Sequence, residues 1–251
     1  MYIGRFAPSP TGPLHFGSLI AAVGSYLEAR VQQGQWLVRI EDLDPPREQT
    51  GAAALILNTL HAYGFEWDGD VLYQSKRHAF YEHFLDQLRS LNLIYPCTCS
   101  RKEILDSALI GIEGAVYPGT CRNGPSHPYR THYAWRVRTT ADATTFDDAI
   151  QGFQSQQLLR EIGDFVLKRA DGLYAYQLAV VADDADQQIS HVVRGADLLT
   201  STPRQIYLQH LLELPTPNYA HLPVAINQRG EKLSKQTLAT PLNPANAVSD
   251  L

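Results

Sequence analysis

The first 96 residues alternate short apolar runs with longer amphipathic ones, and glycines stand at several of the breaks. Residues 2–6 make a short apolar strand, and residues 16–33 a helix. Leu19, Ile20, Ala22, Val23, Tyr26 and Leu27 form the broad apolar stripe of that helix. Gly34 suits its C-terminal stop. A second strand is predicted over 36–40 and a second helix over 52–63, ended by Gly64. A third strand follows at 71–73 and a third helix at 77–91. A βαβαβα order of this kind predicts an α/β chain with a doubly wound parallel sheet.

Residues 97–132 break the alternation. They hold all three cysteines, Cys97, Cys99 and Cys121, with several glycines and prolines and little periodicity. This stretch reads as an insertion held together by something other than its own apolar core. From residue 133 the alternation returns, with strands expected at 165–168 and 189–194 and a helix at 202–212. The expected division is therefore 1–96 and 133–251 as two halves of one domain, with 97–132 between them. A small α-rich region closes the chain, and its last 20 residues, rich in Pro, Ala and Asn, read as loop.

Composition narrows the setting. With 251 residues, 44% hydrophobic and 19% charged, the chain can bury one sizeable core and a smaller appended unit. No run of 18 apolar residues is present, so no membrane partner is expected, and the first residues do not build a signal peptide. A cytoplasmic protein, monomeric, is the expectation. The net charge of −5 argues against indiscriminate nucleic-acid binding but allows a local basic patch. An odd number of cysteines in such a setting argues against a disulfide framework, and their closeness favours a shared metal.

Two segments suggest nucleotide chemistry. Pro13-Leu14-His15-Phe16-Gly17-Ser18 stands where the first strand passes into a helix. A helix N-terminus offers unpaired N–H groups and partial positive charge, which suit phosphate. His15 can donate to an α-phosphate oxygen, and Gly17 permits close approach of the nucleotide. Taken alone, the segment is as readily a glycine- and proline-rich turn with a surface histidine. Far along the chain, Glu231-Lys232-Leu233-Ser234-Lys235-Gln236 places two lysines around a serine. Such a loop can stabilise departing pyrophosphate, although in isolation it is more often a solvated lysine pair.

Together the two segments resemble the signatures of class I aminoacyl-tRNA synthetases. His15-Phe16-Gly17-Ser18 is similar to their first signature, with Ser18 in place of its last histidine, and Lys232 to Gln236 is similar to the second. Arg5-Phe6-Ala7-Pro8-Ser9-Pro10-Thr11-Gly12 resembles the N-terminal block of glutamyl- and glutaminyl-tRNA synthetases. Three more stretches, 39–44, 174–184 and 191–198, continue the likeness over nearly the whole chain. The resemblance implies a Rossmann-like catalytic domain that activates L-glutamate with ATP, with Mg²⁺ accompanying the nucleotide. It implies catalytic roles for His15 and Lys235, and ATP contacts from His15, Gly17, Ser18, Lys232, Ser234 and Lys235. Arg5, Ala7, Ser9, Glu41, Tyr176 and Arg194 would line the glutamate pocket. The chemistry agrees: each arginine can fork onto a carboxylate, and Glu41 can take the α-ammonium.

Few residues follow Lys235, which leaves no room for an anticodon-binding domain within this sequence. The short plan resembles the glutamyl-queuosine tRNA(Asp) synthetases, and the implied acceptor is queuosine in the anticodon loop of tRNA(Asp). A minimal enzyme charging a tRNA 3′ end, or a silent paralogue that only binds RNA, are the competing readings. The cysteines resemble that family's zinc site, one structural Zn²⁺ bound by Cys97, Cys99 and Cys121 with Tyr117 as the fourth ligand implied by the resemblance. By spacing alone, His127 or His132 is the commoner kind of donor.

Overall fold

The computed structural model describes residues 1–107, 109–226 and 240–251. The first half follows the expected order: β1 (Ile3–Phe6), α1 (Phe16–Val31), β2 (Gln35–Ile40), α2 (Ala52–Ala62), β3 (Leu72–Tyr73) and α3 (His78–Ser90). Then come β4 (Ile94–Cys97), α4 (Arg101–Ser107), β5 (Ile110–Gly111), β6 (Gly114–Ala115), β7 (Ala134–Val137), β8 (Thr144–Asp148) and β9 (Gly152–Gln156). The remaining elements are α5 (Leu158–Glu161), β10 (Val166–Lys168), α6 (Tyr176–Asp186), β11 (His191–Gly195), α7 (Thr202–Leu211), β12 (Asn218–Leu222) and α8 (Ala247–Asp250).

The parallel sheet is present. β2 pairs in parallel with both β1 and β3, and β12 pairs in parallel with both β11 and β8. The two sets meet where β11 lies beside β1: Ser190 N donates to Ile3 O at 2.9 Å, and Ile3 N donates to the Ser190 hydroxyl at 2.8 Å. The order of the layer is thus β3-β2-β1-β11-β12-β8-β9, with β9 antiparallel at the edge, and β1 and β11 flank the point where the direction of winding changes. Crevices at the carboxyl ends of such strands are the usual ligand sites of doubly wound sheets.

Alternation along β2 shows how both sheet faces are covered. Trp36, Val38 and Ile40 are fully buried against α1 and α2, together with Leu19, Ala22, Ile56 and Leu60. Leu37 faces the other core, with Ile3, Val192 and Ile206. Gly34 allows the entry to β2, since a Cβ there would stand 2.3 Å from Tyr2 O.

A second sheet, β10-β7-β4, is antiparallel and packs with α3 and α6 around Leu85, Leu88, Ile94, Leu167 and Leu178. The cysteine-bearing segment leaves β4 at Cys97 and returns on β7 at Ala134, and these two residues are paired neighbours. At the end of the chain, the expected loop contains a short helical stretch instead. Asn243 caps a 3-10 turn by accepting from Ala245 N at 3.1 Å, and α8 follows it. Leu242 and Ala247 pack on the α1–α2 core. Among the described residues, no helix is long and apolar enough to cross a membrane.

Candidate active site

A cleft of about 670 Å³ opens at the carboxyl ends of β1 and β11. Its lining includes Arg5, Ala7, Ser9, His15, Gly17, Ser18, Glu41, Tyr176 and Arg194. Every candidate glutamate or nucleotide residue that falls within the described part of the chain is therefore on one surface. Lys232, Ser234 and Lys235 lie outside the described residues. The chain on either side of them is at the same cleft: Val224 and Ala225 line it, and Pro241 forms a bridge with His15, with Leu242 N donating to Leu14 O at 2.9 Å.

The loop after β1 is held by backbone bonds to its neighbours. Glu41 N donates to Pro8 O at 3.0 Å, and Gln49 N to Pro10 O at 3.0 Å. His15 is the N-cap of α1, and its Nδ1 accepts from Ser18 N at 3.3 Å. An acceptor at Nδ1 leaves the imidazole proton on Nε2. The same ring thus finishes the helix and carries a donor at the cleft.

At the other end of the cleft the charges are closely matched. Arg5 reaches Asp184 through Nε at 3.2 Å and NH2 at 3.4 Å, and Asp184 also accepts from Arg39 NH2 at 2.7 Å. Arg39 stands 3.6 Å from Glu41. Burial pushes the Glu41 carboxyl up to about 7, with Asp184 and Asp183 adding to the rise and Arg39 and Arg5 opposing it. Burial acts the same way on Asp184, but Arg5 and Arg39 outweigh it and hold that carboxyl below its ordinary range. Tyr176, at the start of α6, lies in the field of Arg194, Glu41 and Arg5, and burial raises its phenol.

The arginines differ from the simple forks expected of them. The Nε and NH2 edge of Arg5 is taken by Asp184. Arg194 gives Nε to His221 at 3.0 Å, and NH2 to Thr202 at 2.8 Å and Gln205 at 2.9 Å. Its NH1 lies 3.4 Å from the Tyr176 hydroxyl. Arg39, Asp184, His221, Thr202 and Gln205 are thus part of the site's support, and sequence reading assigned them no role. Arg39 and Asp184 stand inside the recognised stretches, and their charge within otherwise apolar runs was the available signal. The cleft also includes Asp44, Arg47 and Arg169, with Asp44 paired to both arginines.

The cysteines form a separate cluster. The three Sγ atoms lie within 4.8 Å of one another, and Cys99 and Cys121 are 3.5 Å apart. Tetrahedral zinc thiolates would hold sulfurs about 3.8 Å apart, so the arrangement fits a metal ion. The Tyr117 hydroxyl completes the group, 3.3 Å from Cys97 Sγ and 3.8 Å from Cys99 Sγ, and it accepts from Cys121 N at 2.9 Å. Gly163 makes room for Tyr117, because a Cβ there would lie 2.3 Å from Tyr117 O. Ser126 also approaches, at 3.2 Å from Cys121 Sγ. His127 instead pairs with Glu103 at 3.0 Å, and among the described residues neither it nor His132 joins the group.

Comparison with known proteins agrees with this architecture. Residues 3–246 match the family described as tRNA synthetases class I (E and Q), catalytic domain. A glutamyl-Q tRNA(Asp) synthetase of Dechloromonas aromatica is 62% identical over 253 residues, covering 100% of this chain and 83% of the relative. Another of Neisseria meningitidis serogroup B is 58% identical over 245 residues, covering 97% and 83%. Among solved structures, a glutamate tRNA ligase from Elizabethkingia meningosepticum in complex with its amino acid superposes with a TM-score of 0.82 at 27% identity. That match covers 94% of this chain and 52% of the ligase, so the chain spans about half the ligase's length. The parallel sheet, the cleft at the β1–β11 junction and these likenesses together show that the chain belongs to the class I (E and Q) tRNA synthetase catalytic-domain family, among the glutamyl-Q tRNA(Asp) synthetases.

Proposed function

We propose that this chain activates L-glutamate with ATP and transfers it to queuosine in tRNA(Asp). The observation that carries the reading is the meeting of Arg5, Glu41, Tyr176 and Arg194 in a cleft that also contains the N-terminus of α1. Glu41 takes the α-ammonium, Arg5 and Arg194 attract the carboxylates, and Ala7, Ser9 and Tyr176 fix orientation. His15 donates from Nε2 to the α-phosphate, at the N-terminus of α1 beside Gly17 and Ser18. Lys232, Ser234 and Lys235 hold the departing pyrophosphate. Mg²⁺ accompanies the ATP.

In the first step a glutamate carboxylate oxygen attacks the α-phosphorus, and pyrophosphate leaves. In the second, a hydroxyl of the queuosine cyclopentene ring attacks the acyl carbon, gives up its proton, and AMP leaves. The cysteine cluster with Tyr117 would hold one Zn²⁺, whose part is to fold the segment between β4 and β7. The reading implies a cytoplasmic setting, where tRNA is modified, and a monomer.

Likeness to a glutamate tRNA ligase favours a second reading, charging of a tRNA 3′ end. Labelled glutamate offered with tRNA(Asp) that carries or lacks queuosine separates the two. Transfer only to the queuosine-bearing RNA is expected. Equal transfer to both, or transfer blocked by oxidising only the 3′ diol, would replace the proposal with the second reading.

A further inference from the structure

Arg194 is held by a chain of buried groups that lies behind the cleft. Arg194 and His221 are direct neighbours across β11 and β12. His221 is 0% exposed, and its Nδ1 lies 2.5 Å from Asp148 Oδ2 on β8. Asp148 Oδ1 accepts three backbone N–H groups: Ile150 at 3.0 Å, Gln151 at 2.9 Å and His221 at 3.1 Å.

These bonds leave one consistent proton assignment. Two groups face His221 Nε2, Arg194 Nε at 3.0 Å and the Thr202 hydroxyl at 3.1 Å; the hydroxyl can take either role, but Arg194 Nε–H only donates, so Nε2 is the acceptor. The imidazole proton then sits on Nδ1 and is donated to Asp148. Burial and the Arg194 charge press the His221 pKa down to about 4, against the pull of Asp148, which agrees with a neutral ring. Gln205 extends the chain, since its Nε2 donates to Gln177 Oε1 at 3.1 Å. With Nε and NH2 both consumed, NH1 is the nitrogen Arg194 has toward Tyr176, and both residues line the cleft.

We propose that Asp148 and His221 are positioning residues: they fix the His221 tautomer, and through it hold Arg194 in one orientation with NH1 presented to a substrate carboxylate. Neither touches the substrate. The inference rests on the reading of Arg194 as a glutamate ligand.

Asp148→Asn tests it with almost no change of shape. Three backbone donors keep the amide oxygen of the new side chain where Oδ1 was, so its NH2 group faces His221 Nδ1. The ring must then carry its proton on Nε2, directly opposite Arg194 Nε–H. A donor facing a donor should raise the KM for glutamate in ATP–pyrophosphate exchange about tenfold, with the KM for ATP unchanged. In an Arg194→Ala background the same substitution should add nothing. His221→Phe should match Asp148→Asn, and His221→Gln, which can still accept from Arg194 and donate to Asp148, should recover most of the affinity.

Nitrogen-15 NMR of the imidazole reports the tautomer independently, with the proton on Nδ1 in the parent and on Nε2 in Asp148→Asn. A parent ring protonated on Nε2, or equal effects of Asp148→Asn with and without Arg194, would overturn the proposal. If Arg194→Ala itself leaves the glutamate KM unchanged, the pocket reading fails instead.

Discussion

The Arg5 guanidinium docks edge-on against Asp184, a residue 179 positions away on α6, and both are almost fully buried. Asp184 also holds Arg39, so a single carboxylate balances two buried cations. Losing that charge takes the ion pair from Arg5 and leaves Arg39 only its longer ionic contacts, 3.6 Å to Glu41 and 3.9 Å to Asp183. Asp184→Asn should therefore lower unfolding stability by about 3 kcal/mol, read by urea denaturation at neutral pH. The carboxyl is held below the ordinary aspartate value of about 3.9, so its contribution is complete above that pH. It is lost only as pH falls through the lower folded-state value. The same substitution should raise the glutamate KM, because Arg5 is no longer braced.

Glu41 predicts a pH dependence of opposite cause. Its carboxyl is pushed up to about 7, so in the empty cleft it is largely neutral below that pH and ionised above it. An ammonium ligand binds the ionised form. The glutamate KM in pyrophosphate exchange should be flat above neutral pH and rise about tenfold for each unit below it. Glu41→Gln should give a high KM with that slope removed; a slope that survives would assign the titration elsewhere.

His15 serves as both helix cap and cleft donor, and the two parts can be separated. Asn can accept from Ser18 N as the imidazole does, but it has no group at the place of Nε2. His15→Asn should keep thermal stability while lowering the rate of exchange by about a hundredfold. His15→Ala should lose the rate and in addition about 1 kcal/mol of stability.

Lys235→Ala should collapse glutamate-dependent pyrophosphate exchange, by about a hundredfold or more, and leave circular dichroism and melting unchanged. Retained exchange would remove Lys235 from the chemistry.

Metal analysis should find about one zinc per chain. Chelation, or Cys121→Ser, should make the segment between β4 and β7 sensitive to protease while glutamate-dependent exchange persists at reduced stability. Burial opposes the Cys121 thiolate, but hydrogen bonds from Ser126 and Thr98 outweigh it and hold that thiol down to about 5.

Some elements were plain in the sequence because burial and periodicity coincide there. α1 has a polar side and an apolar stripe, β2 is covered on both faces, and both stood out. α6 did not stand out as a helix. Gln177 to Asp184 are all buried, so no polar face marks a period, and two acids lie within an apolar stretch. Strands β8 and β12 were missed for a related reason. Asp148 and His221 look like surface residues in sequence, yet each is the other's partner in the core. The antiparallel β4–β7 pairing joins segments about forty residues apart, with the whole cysteine-bearing segment between them instead of one short hairpin turn.

The βαβαβα opening, the grouping of the cysteines and the residue types a dicarboxylic substrate needs could all be read along the chain, because these depend on local order and chemical character. Folding in three dimensions sets which edge of each arginine remains for a ligand, that the Glu41 carboxyl is raised while Asp184 is lowered, and that Tyr117 abuts the thiols where neither His127 nor His132 does. Those outcomes depend on distances between strands and helices far apart in the chain, and on the loss of water around the groups they bury.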